Sequence, residues 1–252
     1  MNTLTLTALP GIPFVRQSDD LADIFLHAMA RARLRFADGD VLVVAQKVVS
    51  RAEGRLVDLR TITPSAKAQT LAAKVEKDPR LVELILRESS AVLRAVPGVL
   101  IVEHKLGFVC ANAGIDHSNV CGDDECVLLL PENPDRSAAQ LRARLEEASG
   151  KRLGVLINDS HGRAWRLGTM GVAIGVSGVP ALVDLRGRHD LVGRELHATQ
   201  VGAADELAAA ASLLMGQAAE GTPAVHVRGF PYPLREGGLQ ELIRPRERDL
   251  FR

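Results

Sequence analysis

The sequence predicts an α/β fold in which mixed sheets pack against helices, as in α+β proteins. Short apolar runs, of which Val41–Ala45 is the clearest, have the length and β-branched content of buried strands. Other segments place apolar residues at helical spacing behind capping residues. A chain of 252 residues can bury a sizeable core. We therefore expect a single domain over residues 1–252, with room for two subdomains.

The composition is that of an ordinary globular protein. Apolar residues make up 46% and charged residues 25% of the chain. The 31 basic residues balance 31 acidic ones, which argues against nucleic acid or a membrane surface as partner. No apolar run approaches the length of a membrane span, and the first residues lack the layout of a signal peptide. We expect a cytoplasmic protein.

The three cysteines agree with that compartment. Cys110, Cys121 and Cys126 are odd in number and lack the CxxC spacing of zinc sites. We therefore expect free thiols. The acidic residues between Cys121 and Cys126 favour a solvated turn over a metal site.

The first half of the chain alternates predicted strands and helices. Prolines and a glycine at residues 10–13 predict an extended loop, and Ser18, Asp19 and Asp20 predict a helix start. In chain order, we expect a strand at 4–9, a helix after 20, a strand at Val41–Ala45, helices at 64–77 and 79–89, and paired strands at 99–102 and 106–110.

The second half continues the alternation. Asp135 and Ser137 are predicted to cap a helix that runs to about Ser149. In chain order, the other expected elements are strands at 127–130, 155–157 and 181–185, a helix at 203–219 and a strand at 225–227. The chain lacks the Rossmann and Walker glycine fingerprints, so a nucleotide would have to bind by another phosphate loop.

Residues 153–178 give the strongest indication of chemistry. The predicted strand at 155–157 is expected to stop at the polar residues 158–162, where Asp159 and Ser160 precede Arg163 and Arg166. A carboxylate and a hydroxyl beside two guanidinium groups suit a metal ion that carries a phosphate. An ordinary structural turn explains the same residues. The following glycine-punctuated run, 171–178, permits close backbone packing.

Two other loops have ligand-type side chains. Lys47, Arg51 and Glu53 follow the Val41–Ala45 strand, where either ligand contacts or surface charges are expected. Asp116, His117, Ser118 and Asn119 form a polar cluster after another strand. His117 suits a metal ligand, a base or a solvent-exposed loop residue.

Four co-linear motifs resemble the coenzyme F-420:L-glutamate ligases. They are VVAQKVVSRAEG, AGIDHSNV, VLINDSHGRAWRLGTMGVAIGVSG and ADELAAAASLLMGQ, and the likeness extends from IPF near the start to HVRGF near the end. The resemblance implies a family-specific α/β ligase fold, distinct from Rossmann and P-loop folds, in a homodimer. It also implies an acid–amino-acid ligase that uses GTP and divalent metal to add L-glutamate to the deazaflavin precursor F-420-0.

The resemblance also assigns roles to residues of this chain. It implies Mg²⁺ or Mn²⁺ ions, with two ions expected in preference to one. It also allows a monovalent cation. The implied metal ligands are Asp116, Asp159, Ser160 and Gln217, and the implied catalytic residues are Asp116, Asp159 and Arg163. The implied nucleotide contacts are Ile12, Pro13, Phe14, Val15, Gln46, Lys47, Arg51, Asn119, Met215, Gly216 and Gln217. Gln46 and Arg51 depart from the family pattern, in which we expect serine and lysine.

This chemistry explains the residue types. Transfer of the terminal phosphoryl group of GTP to the substrate carboxylate gives an acyl phosphate, which the glutamate amine attacks. The sequence does not decide whether His117 or His161 is the base, whether GTP is preferred to ATP, or how many glutamates are added. Two alternatives remain: a related amide ligase or kinase that acts on another carboxylic acid, and a non-catalytic nucleotide-binding regulator.

Overall fold

The computed structural model describes residues 3–117 and 124–249. The helices are α1 (Leu21–Arg31), α2 (Gln46–Ala52), α3 (Ala66–Val75), α4 (Pro79–Arg87), α5 (Pro134–Ser149) and α6 (Ala203–Met215). The strands are β1 (Thr5–Ala8), β2 (Val41–Ala45), β3 (Leu56–Asp58), β4 (Ser89–Val96), β5 (Val99–His104), β6 (Val109–Ala111), β7 (Cys126–Leu128), β8 (Gly154–Arg163), β9 (Arg166–Ser177), β10 (Val183–Asp184), β11 (Gln200–Val201) and β12 (Ala224–Arg228). Short 3₁₀ helices span Leu59–Thr61, Asn112–Gly114, Leu239–Glu241 and Arg246–Arg248.

A five-stranded mixed sheet forms the centre of the molecule. Its strand order is β1-β12-β2-β8-β9. β2 and β8 run parallel, whereas the other neighbouring pairs are antiparallel. Three smaller sheets, β3-β7, β4-β5-β6 and β10-β11, complete the arrangement. The predicted α/β class with mixed sheets is therefore confirmed.

Alternate side chains of the central strands enter cores on opposite faces of the sheet. Leu42 and Val44 of β2 pack in a core with residues of α1 and α5, whereas Val41 and Val43 pack with residues of α6. This alternation is the two-residue period of a strand buried on both faces, as its β-branched sequence predicts.

A third core lies under the three-stranded sheet. It contains residues of α3 and α4 together with Leu100 and Val102 of β5. Phe108 packs against both this core and the core beneath α1 and α5. Phe108 therefore joins the two parts of the molecule.

Most predicted elements are confirmed, and the exceptions have physical causes. The end predicted for the strand at 155–157 is wrong. Strand β8 continues through the polar residues to Arg163 and pairs with β9 along its length. Residues 158–162 are therefore a strand and not a turn. Ladder hydrogen bonds hold such a two-stranded ribbon without an apolar pattern.

Other boundaries also differ from the prediction. Asn133, not Asp135 or Ser137, caps α5 by accepting a hydrogen bond from the amide of Arg136, and Pro134 occupies the first turn. The helix predicted at 203–219 ends at Met215, because Gly216 takes a positive φ of 72°. Strands β3, β4, β9 and β11 and helix α2 were not predicted.

The cysteines differ from the expectation in one respect. Cys110 is free and buried, and burial raises the pKa of its thiol to about 12. Cys126 is disulfide-bonded, so the expectation of a free thiol is wrong there. Sequence spacing does not reveal which thiols the fold brings together. Cys121 lies outside the described residues.

Over the two described ranges, the chain has no helix with the length and apolar character that crossing a membrane requires.

An ion cluster around the buried carboxylate of Asp40 joins the turn before β2 to β12. The carboxylate of Asp40 accepts hydrogen bonds from His226 Nε2 at 2.8 Å and from Arg228 Nη2 at 2.7 Å. Asp40 is only 1% exposed. Burial alone would raise the pKa of Asp40, but the bonds from His226 and Arg228 outweigh it and lower the pKa to about 2.

We predict that Asp40→Asn lowers the free energy of unfolding by about 3 kcal/mol at pH 7, because it leaves the buried His226 and the half-exposed Arg228 without their carboxylate partner. A folded-state pKa below the ordinary aspartate value of 3.8 stabilises the protein above that pH, and this stabilisation is lost as the pH falls towards 2. In urea unfolding, the difference in unfolding free energy between the unmodified protein and Asp40→Asn should therefore narrow by about 2 kcal/mol over that pH interval.

Arg136→Ala is the control, because it removes only an exposed pair with Glu132. A stability gap that stays constant between pH 4 and pH 2 would contradict this account of Asp40.

Candidate active site

A cleft of about 1200 Å³ opens at one edge of the central sheet. Its walls come from the loop before α1, the start of α2, the middle of β8 and the segment after α6. The predicted site residues among its lining are Ile12, Pro13, Phe14, Val15, Gln46, Lys47, Arg51, Asp159, Ser160, Met215, Gly216 and Gln217. Residues far apart in sequence thus share one cavity.

The parallel pairing of β2 and β8 explains this convergence. Ala45, the last residue of β2, lies opposite Asn158 of β8. The residues that follow each position, Gln46 and Asp159, therefore emerge at the same edge. Clefts at the carboxyl ends of parallel strands are the usual ligand sites of α/β sheets.

Asp116 is held next to this cleft by the first turn of α2. Its backbone forms a bridge with Leu128, and its carboxylate accepts a hydrogen bond from Gln46 Nε2 at 2.5 Å. Lys47 Nζ lies 3.3 Å from the other carboxylate oxygen. Gln46 is 1% exposed and is itself fixed by Ser50, whose hydroxyl donates to Gln46 Oε1 at 2.9 Å. Gln46 therefore orients Asp116.

The electrostatic setting of Asp116 is unfavourable to its charge. Burial, the largest cause, and the negative charge of Asp159 together raise the pKa of Asp116 to about 6. The attraction of Lys47 opposes this rise. The two carboxylates therefore repel each other electrostatically, although they come from distant parts of the chain.

Asp159 lies within β8 opposite Val172 of β9. Its side chain is only 10% exposed, and its Oδ2 atom contacts His161 Nε2 at 2.9 Å. This partner was not predicted, because a contact across two residues of one strand requires β8 to continue past Ile157. Sequence reasoning also missed Phe108, whose ring lies 5.3 Å from that of His161.

Ser160 and Gln217 are in contact on the side of β8 opposite to Asp159 and His161. The Ser160 hydroxyl donates to Gln217 Oε1 at 2.9 Å. Gly216, directly before Gln217, has a positive φ of 72°, a backbone conformation that favours glycine. Two of the metal ligands that the resemblance implies are thus in contact.

The predicted metal ligands have the chemistry of a hard cation site. Asp116, Asp159, Ser160 and Gln217 would each coordinate a cation through an oxygen atom, which Mg²⁺ and Mn²⁺ prefer. The negative charge of Asp159 contributes to the raised pKa of Asp116, and a bound cation would offset this repulsion. Among the described residues, His, Cys, Asp and Glu do not assemble in threes into a metal-binding group. The set therefore depends on two carboxylates with a hydroxyl and an amide.

Arg51 forms a cationic wall of the cleft. Its guanidinium carbon lies 3.9 Å from the centre of the Phe14 ring. Burial lowers the pKa of Arg51, and the charge of Asp116 opposes that shift. The predicted Ile12–Val15 loop and Arg51 are therefore in direct contact.

The remaining predicted residues do not all lie at the cleft. Arg163 is exposed near the end of the β8-β9 hairpin, where Nη1 contacts Met170 Sδ at 3.0 Å, and it is not among the residues that line the cleft. Arg166 is likewise exposed. His117 lines the cleft, whereas His161 does not. Asn119 and Ser118 lie outside the described residues.

Known proteins resemble this chain over nearly its whole length. The family model described as F420-0:Gamma-glutamyl ligase matches residues 11–229. The coenzyme F420:L-glutamate ligase of Methanothermobacter thermautotrophicus is 47% identical over 251 residues, 99% of each chain. That of Methanopyrus kandleri is 49% identical over 254 residues, covering 99% of this chain and 98% of the relative. The Haloarcula marismortui ligase is 43% identical over 251 residues, with 97% and 94% covered.

The charges around Asp116 predict opposite effects of two substitutions on its pKa. Lys47→Met should raise the pKa above about 6, because it removes an attractive charge. Asp159→Asn should lower it, because it removes a repulsive one. Carbon-13 NMR titration of the Asp116 carboxyl in metal-free protein measures both shifts.

Lys151→Met is the control, since this lysine pairs with Asp38. Shifts of the same sign in Lys47→Met and Asp159→Asn would refute the charge coupling.

Proposed function

The chain belongs to the F420-0:gamma-glutamyl ligase family, and we propose on this premise that it joins L-glutamate to the deazaflavin precursor F-420-0. The ligase activity follows from full-length similarity to coenzyme F420:L-glutamate ligases. The observation that supports the proposal most strongly is the convergence of the predicted site residues on one cleft.

We propose further that the cleft binds GTP and two divalent cations, Mg²⁺ or Mn²⁺. Asp116, Asp159, Ser160 and Gln217 would hold the cations, which supply charge neutralisation for phosphoryl transfer when bound. Support comes from the oxygen-only donor set and from the hydrogen bond between Ser160 and Gln217.

The chain's own residues would bind and orient the substrates. Lys47 and Arg51 place positive charge on the cleft wall, where phosphate oxygens need it. The loop of Ile12, Pro13, Phe14 and Val15, together with Met215 and Gly216, would enclose the nucleotide. We propose that the terminal phosphoryl group of GTP passes to the substrate carboxylate. The glutamate amine then displaces phosphate from this acyl phosphate and forms the amide.

The enzyme is proposed to be a homodimer. Large apolar side chains are exposed on the hairpin that joins β8 and β9, with Trp165 82% and Leu167 98% exposed. Exposed apolar groups of this size favour a protein interface.

Sedimentation at micromolar concentration should therefore show a species of twice the 27.1 kDa chain mass. Trp165→Lys combined with Leu167→Lys should weaken the dimer, because it buries charge in the interface. A 27.1 kDa species alone in the unmodified protein would rule the dimer out.

Mass spectrometry of the reaction products tests the proposed activity. Incubation with F-420-0, L-glutamate, GTP and Mn²⁺ should yield a product extended by glutamate, and ATP should replace GTP poorly. Asp159→Asn and Asp116→Asn should each lower turnover by about a hundredfold, because each removes charge that binds the cations. The double variant should lose much less than the product of the two losses.

Asp23→Asn is the matched control, since it changes an exposed aspartate on α1. Turnover of a different acid alone would favour a related ligase or kinase. Nucleotide binding without any product would favour a non-catalytic regulator.

A further inference from the structure

We propose that His161 is a positioning residue that fixes the carboxylate of Asp159 for the divalent cation. This inference rests on the proposed metal-binding role of Asp159. His161 Nε2 and Asp159 Oδ2 are 2.9 Å apart, and their side chains are 13% and 10% exposed. A carboxylate accepts hydrogen bonds only, so Nε2 carries the proton in this contact.

The ring of His161 is itself fixed by an aromatic neighbour. Its centre lies 5.3 Å from that of Phe108, with the planes tilted by 50°. Phe108 in turn stacks on the buried His104, with ring centres 5.1 Å apart and planes at 7°. Because Phe108 also packs against two cores, the imidazole cannot turn freely away from Asp159.

The contact with His161 leaves one oxygen of the Asp159 carboxylate available to a cation. Among the described residues, Asp159 Oδ1 accepts no side-chain hydrogen bond, whereas Oδ2 contacts His161. Asp159 lines the cleft. A carboxylate held through one oxygen presents the other in a fixed direction, and such support typically changes metal affinity by about 10–100-fold.

The same geometry separates positioning from proton transfer. His161 is not among the residues that line the cleft, whereas His117 is. A general base must reach the proton that it removes. The position of His161 therefore favours a role through Asp159 over a direct role on the glutamate amine.

Two substitutions separate the hydrogen bond from the ring. His161→Phe keeps an aromatic ring against Phe108 and removes the N–H donor. His161→Gln removes the ring and retains an amide donor near the position of Nε2. Calorimetric titration of metal-free protein with Mn²⁺ alone should show an affinity at least about tenfold weaker for His161→Phe, with His161→Gln within about threefold of the unmodified protein.

Thermal unfolding of the metal-free proteins provides the stability comparison. His27→Gln, on the exposed face of α1, is the control and should leave Mn²⁺ affinity unchanged. In an Asp159→Asn background, His161→Phe should have no further effect on affinity. A merely structural role would weaken binding in both His161 variants alike and would overturn the inference.

The outcomes also distinguish this inference from the proposed function. If Asp159→Asn abolishes Mn²⁺ binding while His161→Phe leaves it unchanged, the positioning role is wrong and the metal site stands. If Asp159→Asn itself leaves Mn²⁺ affinity unchanged, the proposed metal site is wrong and the inference fails with it.

Discussion

The close approach of two helices to strand β9 is the constraint on which the site depends. A Cβ atom on Gly175 would lie 2.6 Å from the backbone of Pro134 at the start of α5. A Cβ atom on Gly171 would lie 2.5 Å from the Ala208 carbonyl oxygen of α6. Real Cβ atoms do not approach backbone this closely, so only glycine permits the observed helix positions. These contacts fix β9 between α5 and α6, and β9 fixes β8.

An irregularity in the β8-β9 pairing determines which way the site residues face. Ile157 pairs with Gly175 and Asn158 with Ala173, so Ile174 is an extra residue on β9. Ile174 and Gly175 consequently both face α5, although they are consecutive. β8 keeps its alternation past this point. Asn158 and Ser160 face Met215 and Gln217, which leaves Asp159 on the side of His161.

The sequence predicts the elements whose pattern is local and misses those that depend on distant partners. The β2 strand is confirmed at Val41–Ala45, because the short length and β-branched enrichment of this apolar run favour a strand over a helix. The polar part of β8 was wrongly expected to be a turn, since its strand conformation depends on pairing with β9. The family motifs located the cleft residues, but they did not reveal that Gln46 bonds to Asp116 or that Arg163 lies away from the cleft. Side-chain direction at these positions is set by tertiary packing.

The site holds two carboxylates, those of Asp116 and Asp159, in positions where their negative charges repel each other. Burial and the charge of Asp159 both raise the pKa of Asp116, so bringing these carboxylates together costs free energy. Gln46 and Lys47 offset part of that cost from the first turn of α2. Helix α2 follows β2 directly, and β2 is paired in register with β8. The free energy that keeps Asp116 and Asp159 near each other therefore comes from the apolar packing of the central sheet. A substitution in that packing can disturb the site without touching any residue in it.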